Sequence, residues 1–206
     1  MPPEIVLPPL YPITPEGLRG PALMAWAQEL LEAGCRFLQY RRKTGSDRER
    51  LRDMEDLLAL CRTYECSLVV DDRVDLVILS GADGVHLGQT DLPPTEARHL
   101  LGSGKIIGFS THNLEQFEEA CEWPADYLAL GPVFPTGSKA HPDPAVPVAV
   151  QEEILRRSPL PVVAIGGITP LNAAELWARG FPSLAVISAL AENPGRAWRA
   201  FLKERP

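Results

Sequence analysis

Lysine is scarce in this chain: its 206 residues include only Lys43, Lys105, Lys139 and Lys203. Acidic residues outnumber Lys and Arg by 27 to 20, which gives a formal net charge of −7. That balance excludes the broad basic surface a nucleic-acid partner requires. It still allows a small anionic ligand, which responds to the charge at its own site. Cysteine is sparse too, and Cys35, Cys61, Cys66 and Cys121 lack zinc-ligand spacing. Four reduced, mostly buried thiols in a cytoplasmic protein are expected, with no disulfide framework. No apolar stretch reaches membrane-spanning length, so no membrane partner is expected. The opening residues 1–6 have neither a basic n-region nor an apolar h-region, so no signal peptide is expected.

What the chain does have is an eightfold alternation. Short apolar runs occur at Tyr11–Thr14, Arg36–Tyr40, Ser67–Asp71, Gly84–Leu87, Ile106–Phe109, Tyr127–Leu130, Val162–Ile165 and Leu184–Ile187. Each is followed by a helix-patterned stretch, such as Leu23, Trp26, Leu30 and Leu31, or Leu51, Met54, Leu58 and Cys61. Gly34 stops the first helix, Pro93-Pro94 introduces the fourth, and Thr169-Pro170 reads as an N-cap with proline at N1. This alternation predicts parallel strands in a single (β/α)8 TIM barrel of the α/β class, one domain over residues 1–206. The proline-rich residues 1–10 are expected to form an irregular lead-in over the barrel bottom. The long connection from Pro132 to Val146 is expected to be functional or mobile.

Such a barrel carries its active site at the C-terminal ends of the strands. Gln39, Arg41 and Lys43 alternate there, so all three can face one ligand, with a planar fork and a point charge for phosphate. A solvated basic loop is the competing reading. Asp71, Asp72 and Asp91 end neighbouring strands, and paired carboxylates suit Mg²⁺. Alternatively, Asp72 pairs with Arg73 and Asp91 caps the next helix. Gly166-Gly167, followed by a helix start, and Ile187-Ser188 match the phosphate site that such barrels place after strands seven and eight. Ser110, Thr136, Ser138 and Lys139 complete the ring. His112 reads equally as an acid–base group or as a packing residue, and His86, within a strand, reads as structural.

Together these segments resemble the thiamine phosphate synthase family. The stretches that carry the likeness are residues 39–43, 71–75, 81–92, 108–112, 131–136, 164–173 and 185–189. The run Gly81-Ala82-Asp83-Gly84-Val85-His86-Leu87-Gly88-Gln89-Thr90-Asp91 is the most specific; the Gly-Gly turn is common to many phosphate-binding barrels. The resemblance implies a transferase of thiamine biosynthesis. It joins an aminopyrimidine methyl diphosphate to a (carboxy)thiazole phosphate with Mg²⁺ as cofactor, releasing diphosphate. By the same resemblance Gln39, Arg41, Lys43, Ser110 and Lys139 take the pyrimidine diphosphate, with Arg41, Lys43, Ser110 and Lys139 as the catalytic set. Asp72 and Asp91 hold Mg²⁺. Thr136 and Ser138 touch the thiazole, and Gly166, Gly167, Ile187 and Ser188 its phosphate. Asp71 stands where the family usually has Asn, as a further metal ligand or an acceptor for the pyrimidine amino group, or alternatively as a tolerated drift. Thr14 precedes Pro15 where the family often has Asp, and the loop after Lys139 lacks the family's usual glycine. A thiazole tautomerase of the same superfamily and a non-catalytic phosphate-binding barrel are the competing functions. A sugar-phosphate aldolase is disfavoured, because no lysine lies within a strand facing the barrel interior. A homodimer is compatible with the chain.

Overall fold

Every apolar run in the sequence becomes a strand, and each intervening 3.6-residue pattern becomes a helix. The computed structural model describes residues 5–136 and 144–205. The chain runs β1 (Leu10–Pro12), α1 (Gly20–Glu32), β2 (Phe37–Tyr40), α2 (Asp47–Thr63), β3 (Ser67–Asp71), α3 (Val74–Ser80), β4 (Gly84–Leu87) and α4 (Pro94–Leu101). It continues through β5 (Ile106–Thr111), α5 (Leu114–Ala120), β6 (Tyr127–Leu130), α6 (Val148–Arg157), β7 (Val162–Ile165), α7 (Pro170–Arg179), β8 (Ser183–Val186) and α8 (Pro194–Lys203).

The helix limits have local causes. Proline occupies the first turn of α1, α4, α7 and α8, where its missing N–H costs nothing. Ser46 and Glu49 form a capping box at the start of α2. The Asn113 side chain accepts from the Gln116 N–H at 2.9 Å and starts α5. Gly81, at φ 77°, closes α3 in the left-handed conformation that glycine adopts freely.

All strand pairs are parallel, in the order β1-β8-β7-β6-β5-β4-β3-β2. A bridge between Ile13 and Gln39, with the Thr14 N–H donating to the Gln39 carbonyl at 2.9 Å, joins the two end strands. The sheet is thus a nearly closed barrel of eight parallel strands with helices around it.

The pleat sorts side chains into two cores. Leu10, Leu38, Leu68, Val70, Leu128 and Leu184 face outward, into the cluster shared with the helices. Tyr11, Phe37, Val69, Tyr127, Ala129, Val163 and Ala185 face inward and fill the barrel interior. Leu7 and Ile5 of the lead-in pack with that inner cluster. Gly108 makes room for the largest of these rings: a Cβ there would lie 2.1 Å from Tyr127 Cζ. Cys35, Cys61, Cys66 and Cys121 are all free thiols, the first three of them buried. No described helix is long and apolar enough to cross a membrane.

Candidate active site

The inward parity of the strands continues past their C-terminal ends, and this decides which charged side chains meet. On β2 and its extension, Gln39, Arg41 and Lys43 line a cavity of about 560 Å³ in the barrel mouth. The residue between the two cations turns away. Arg42 is buried between sheet and α2, 2.7 Å from Asp53 and 3.1 Å from Glu49. The alternation that predicted a shared face for residues 39, 41 and 43 is therefore observed. Thr14 fixes the Arg41 backbone from both sides: its hydroxyl accepts from the Arg41 N–H at 2.7 Å and donates to the Arg41 carbonyl at 2.9 Å.

Asp71, Asp72 and Asp91 line the same cavity. Asp71 Oδ2 lies 2.7 Å from Lys43 Nζ and 3.6 Å from Arg41 Nε. The two cations beside this buried oxygen compensate its charge. Burial, and then the neighbouring Asp72 carboxylate, push the Asp71 carboxyl up to about 6 against the pull of Lys43. Lys43 also pairs with Asp72. Burial works against the Lys43 charge, but Asp71 and Asp72 outweigh it and hold the amine above its usual range.

Asp72 adopts φ 61°, a left-handed conformation that costs a non-glycine residue about 1–2 kcal/mol. Its N–H donates to the His86 carbonyl at 2.8 Å, which fixes this turn to β4. Asp72 does not pair with its neighbour in sequence: Arg73 reaches Asp75 at 2.6 Å and Asp47 at 2.8 Å. Asp91 does not cap α4, whose N-cap is Pro93. Its Oδ2 instead accepts from the Gly88 N–H at 2.7 Å. Burial raises the Asp91 carboxyl, the Gly88 N–H opposes the rise, and Asp72, within hydrogen-bonding reach, adds to it.

The two carboxylates Asp72 and Asp91, brought together, offer oxygen donors suited to a hard divalent cation. Among the described residues no cluster of three or more His, Cys, Asp or Glu side chains has metal-holding geometry. A cation on Asp72 and Asp91 would therefore complete its shell with ligand oxygens and water, the usual mode for Mg²⁺.

Across the cavity lie Gly166, Gly167, Ile187, Ser188 and Thr136. Gly166 and Gly167 have φ 101° and 67°. A Cβ on Gly166 would meet Pro132 Cβ at 2.5 Å, and one on Gly167 the Pro135 carbonyl at 2.6 Å. The glycine pair is thus required by conformation and by space. Asn172, in the first turn of α7, donates to the Gly167 carbonyl at 3.0 Å and accepts from the Thr169 N–H at 2.8 Å, which holds the turn against the helix start. Ser110 and His112 line the wall between the two halves, with His112 Nδ1 2.5 Å from the Gly131 carbonyl. Lys105 lies at the other end, with Nζ on the Gly81 and Ala82 carbonyls at 3.2 and 2.6 Å.

Of the residues expected in the site, Gln39, Arg41, Lys43, Asp71, Asp72, Asp91, Ser110, Thr136, Gly166, Gly167, Ile187 and Ser188 meet in this one cavity. Ser138 and Lys139 lie outside the described residues. Sequence reasoning missed Glu16, which lies 3.3 Å from Arg41 and also accepts from the Lys43 N–H at 3.3 Å. It also missed Tyr11, which lines the cavity, and Tyr127, whose hydroxyl meets that of Tyr11 at 2.7 Å. Their inward strand parity was the available signal.

The family model described as Thiamine monophosphate synthase matches residues 10–190. The thiamine-phosphate synthase of Synechococcus sp. strain WH7803 is 44% identical over 182 residues, covering 87% of this chain and 51% of its own length. That of Koribacter versatilis is 41% identical over 202 residues, covering 96% of this chain and 95% of its own. The chain thus spans about half the length of the cyanobacterial relatives it matches. A solved thiamine phosphate pyrophosphorylase from Pyrococcus furiosus superposes with a TM-score of 0.85 at 36% identity, over 95% of this chain and 94% of its own. The motifs and the barrel agree with these matches, and the chain belongs to the thiamine monophosphate synthase family.

Proposed function

We propose that this chain is a thiamine phosphate synthase. In that reaction the C–O bond between the pyrimidine methylene and its diphosphate breaks, diphosphate leaves, and the thiazole nitrogen forms a C–N bond to the methylene carbon. The observation that carries this reading is one cavity with two unlike ends. The facing carboxylates Asp72 and Asp91 stand beside Arg41 and Lys43 on one wall, and the Gly166-Gly167 turn with Ser188 stands on the other. One end suits a diphosphate with its cation, and the other a second phosphate.

In this reading Gln39 engages the pyrimidine edge, while Arg41, Lys43, Ser110 and Lys139 hold the diphosphate. Arg41 supplies a fork and Lys43 a point charge to the oxygens on which negative charge develops as the bond breaks. Asp72 and Asp91 hold Mg²⁺, which when bound neutralises part of the leaving diphosphate charge. Asp71, the carboxylate in the family's usual Asn position, adds negative charge on the cation side. Thr136 and Ser138 contact the thiazole. Backbone N–H groups at Gly166 and Gly167, with Ile187 and Ser188, take its phosphate. No protein nucleophile is needed: the barrel mouth holds two reactants in contact.

The test is direct. Full-length protein, both substrates and Mg²⁺ should yield thiamine phosphate and diphosphate. A tautomerised thiazole as the sole product would transfer the assignment to the tautomerase branch, and ligand binding without turnover would make the chain a phosphate-binding barrel.

A further inference from the structure

Beneath the charged rim, five polar side chains from five strands form one continuous hydrogen-bonded path through the barrel interior. Gln39 Nε2 on β2 donates to the Tyr11 hydroxyl on β1 at 2.7 Å. The Tyr11 and Tyr127 hydroxyls are 2.7 Å apart. Tyr127, on β6, lies 2.9 Å from His86 Nδ1 on β4. His86 Nε2 lies 2.8 Å from Ser110 Oγ on β5. Gln39 and Ser110, the two ends, line the cavity, as do Tyr11 and His86, and Tyr127 in the middle is fully buried. The path is rigidly built. The Tyr11, Phe37 and Tyr127 rings pack edge to face, His86 stacks on Tyr127 with centroids 5.5 Å apart, and only glycine at position 108 leaves Tyr127 its place.

Such a path has a direction. A hydroxyl carries one proton, and a neutral imidazole has one donor and one acceptor nitrogen. Both His86 ring nitrogens meet neutral hydroxyls, Tyr127 at Nδ1 and Ser110 at Nε2, in a buried interior where a charged ring is costly, so the ring takes its neutral form. Buried protons without an acceptor are costly, so each group donates to the next and accepts from the one before. With a Gln39 N–H aimed at Tyr11, the order is Gln39 to Tyr11 to Tyr127 to His86 Nδ1, then His86 Nε2–H to Ser110. The Ser110 proton is thereby turned outward, toward a ligand, and the Gln39 carbonyl oxygen remains as its free acceptor. The reverse order would turn a Ser110 lone pair and the Gln39 amino group to the cavity instead. The two ends switch together or not at all.

We propose that Tyr11, Tyr127 and His86 are positioning residues that lock the hydrogen-bonding polarity of Gln39 to that of Ser110, so that the cavity selects a ligand with a donor group at Gln39 and an anionic oxygen at Ser110. The ligand class is an amino-substituted heterocycle carrying a phosphate or diphosphate. This deepens the assignment above and rests on it for the identity of the ligand, but the locking itself is a property of the protein alone.

The experiment reads the His86 tautomer by long-range ¹H–¹⁵N correlation on protein labelled at histidine. In the wild type at pH 8, His86 should be neutral with the proton on Nε2. Gln39→Glu replaces the amide with a carboxylate that can only accept, so the path must reverse and His86 must carry its proton on Nδ1. In Gln39→Glu/Tyr127→Phe the link is cut, and His86 should match Tyr127→Phe alone. A wild-type His86 protonated on Nδ1, or one that keeps its tautomer in folded Gln39→Glu protein, overturns the proposal. Tyr127→Phe keeps the ring and removes only the hydroxyl. It should raise KM for the aminopyrimidine diphosphate about tenfold, as expected when a buried hydrogen bond is lost, and leave KM for the thiazole phosphate unchanged. Equal loss toward both substrates would overturn the specificity role. A chain without synthase activity would refute the functional assignment and leave the tautomer result standing.

Discussion

Asp71→Asn separates the cost of a buried carboxylate from its use. Burial and the Asp72 charge raise the Asp71 carboxyl from its ordinary 3.8 to about 6 in the folded protein. A carboxyl whose pKa is higher folded than unfolded stabilises the fold while it is protonated. That contribution is complete below pH 3.8 and is lost as the pH rises through 6. Above pH 6 the folded protein therefore carries a penalty that an uncharged amide of the same shape avoids. At roughly 1.4 kcal/mol per tenfold change in the ionisation constant, the displacement amounts to about 3 kcal/mol. Asp71→Asn should then be more stable than wild type by about that amount at pH 8, with the difference shrinking toward zero near pH 4. Urea denaturation of both proteins across pH 4–8, with equal slopes, reads this directly. Equal stability at pH 8, or a gap that does not close on acidification, would refute the reasoning. The same variant should need more Mg²⁺ for half-maximal synthase turnover, because the cation side of the site loses a negative charge.

Three further outcomes follow from the site. Asp72→Ala should lower turnover on the order of a hundredfold while leaving the urea midpoint intact, since the side chain is partly exposed and its φ of 61° already disfavours a non-glycine residue; undiminished turnover in this variant, or in excess chelator, would remove Mg²⁺ from the assignment. Gly167→Ala, with φ 67° and a Cβ 2.6 Å from the Pro135 carbonyl, should raise KM for the thiazole phosphate about tenfold with little effect on the pyrimidine substrate, as checked by steady-state kinetics. Gly108→Ala should destabilise the barrel by about 1–3 kcal/mol or more, because its Cβ would lie 2.1 Å from the confined Tyr127 ring, as read by thermal unfolding.

The barrel was legible because strand length, helix period and punctuation all agreed. The limits of β3, β4, β6 and β7 match the apolar runs residue for residue, and Gly34, Pro94 and Thr169-Pro170 mark helix limits by local backbone chemistry alone. The shared face of Gln39, Arg41 and Lys43 was legible for the same reason, since period two needs no tertiary information. Partner choice was not. Arg73 lies next to Asp72 in sequence yet pairs with Asp47, 26 positions away, while Asp72, in its left-handed turn, pairs with Lys43. The hydroxyl contact between Tyr11 and Tyr127 spans 116 positions, and each residue alone reads as an ordinary inward aromatic. His86, read as structural from its place within a strand, is buried as expected; its role as a link emerges only when β1, β4, β5 and β6 are closed into a ring.

The closed ring also grades the cavity from bottom to top. Leu7, Phe37, Val69 and Val163 make the floor apolar. Above it come neutral hydrogen-bonding groups, Tyr11, Tyr127, His86, Gln39 and Ser110, joined to one another. The charged groups Arg41, Lys43, Asp71, Asp72 and Asp91 occur only at the mouth. Burying a charge costs far more than burying a paired dipole, so this grading fixes how a two-part ligand must enter. In the proposed reaction a neutral heterocycle would descend to Gln39, while the diphosphate with its cation would stay at the rim, within reach of Ser110 at the top of the neutral layer. The bond between the two parts then lies at the boundary of the layers, where the leaving anion faces cations and water and the carbon left behind faces the neutral interior. In the proposed reaction the second reactant would approach from the Gly166-Gly167 side of the mouth, so that the charges of the two phosphorylated substrates would not share a subsite.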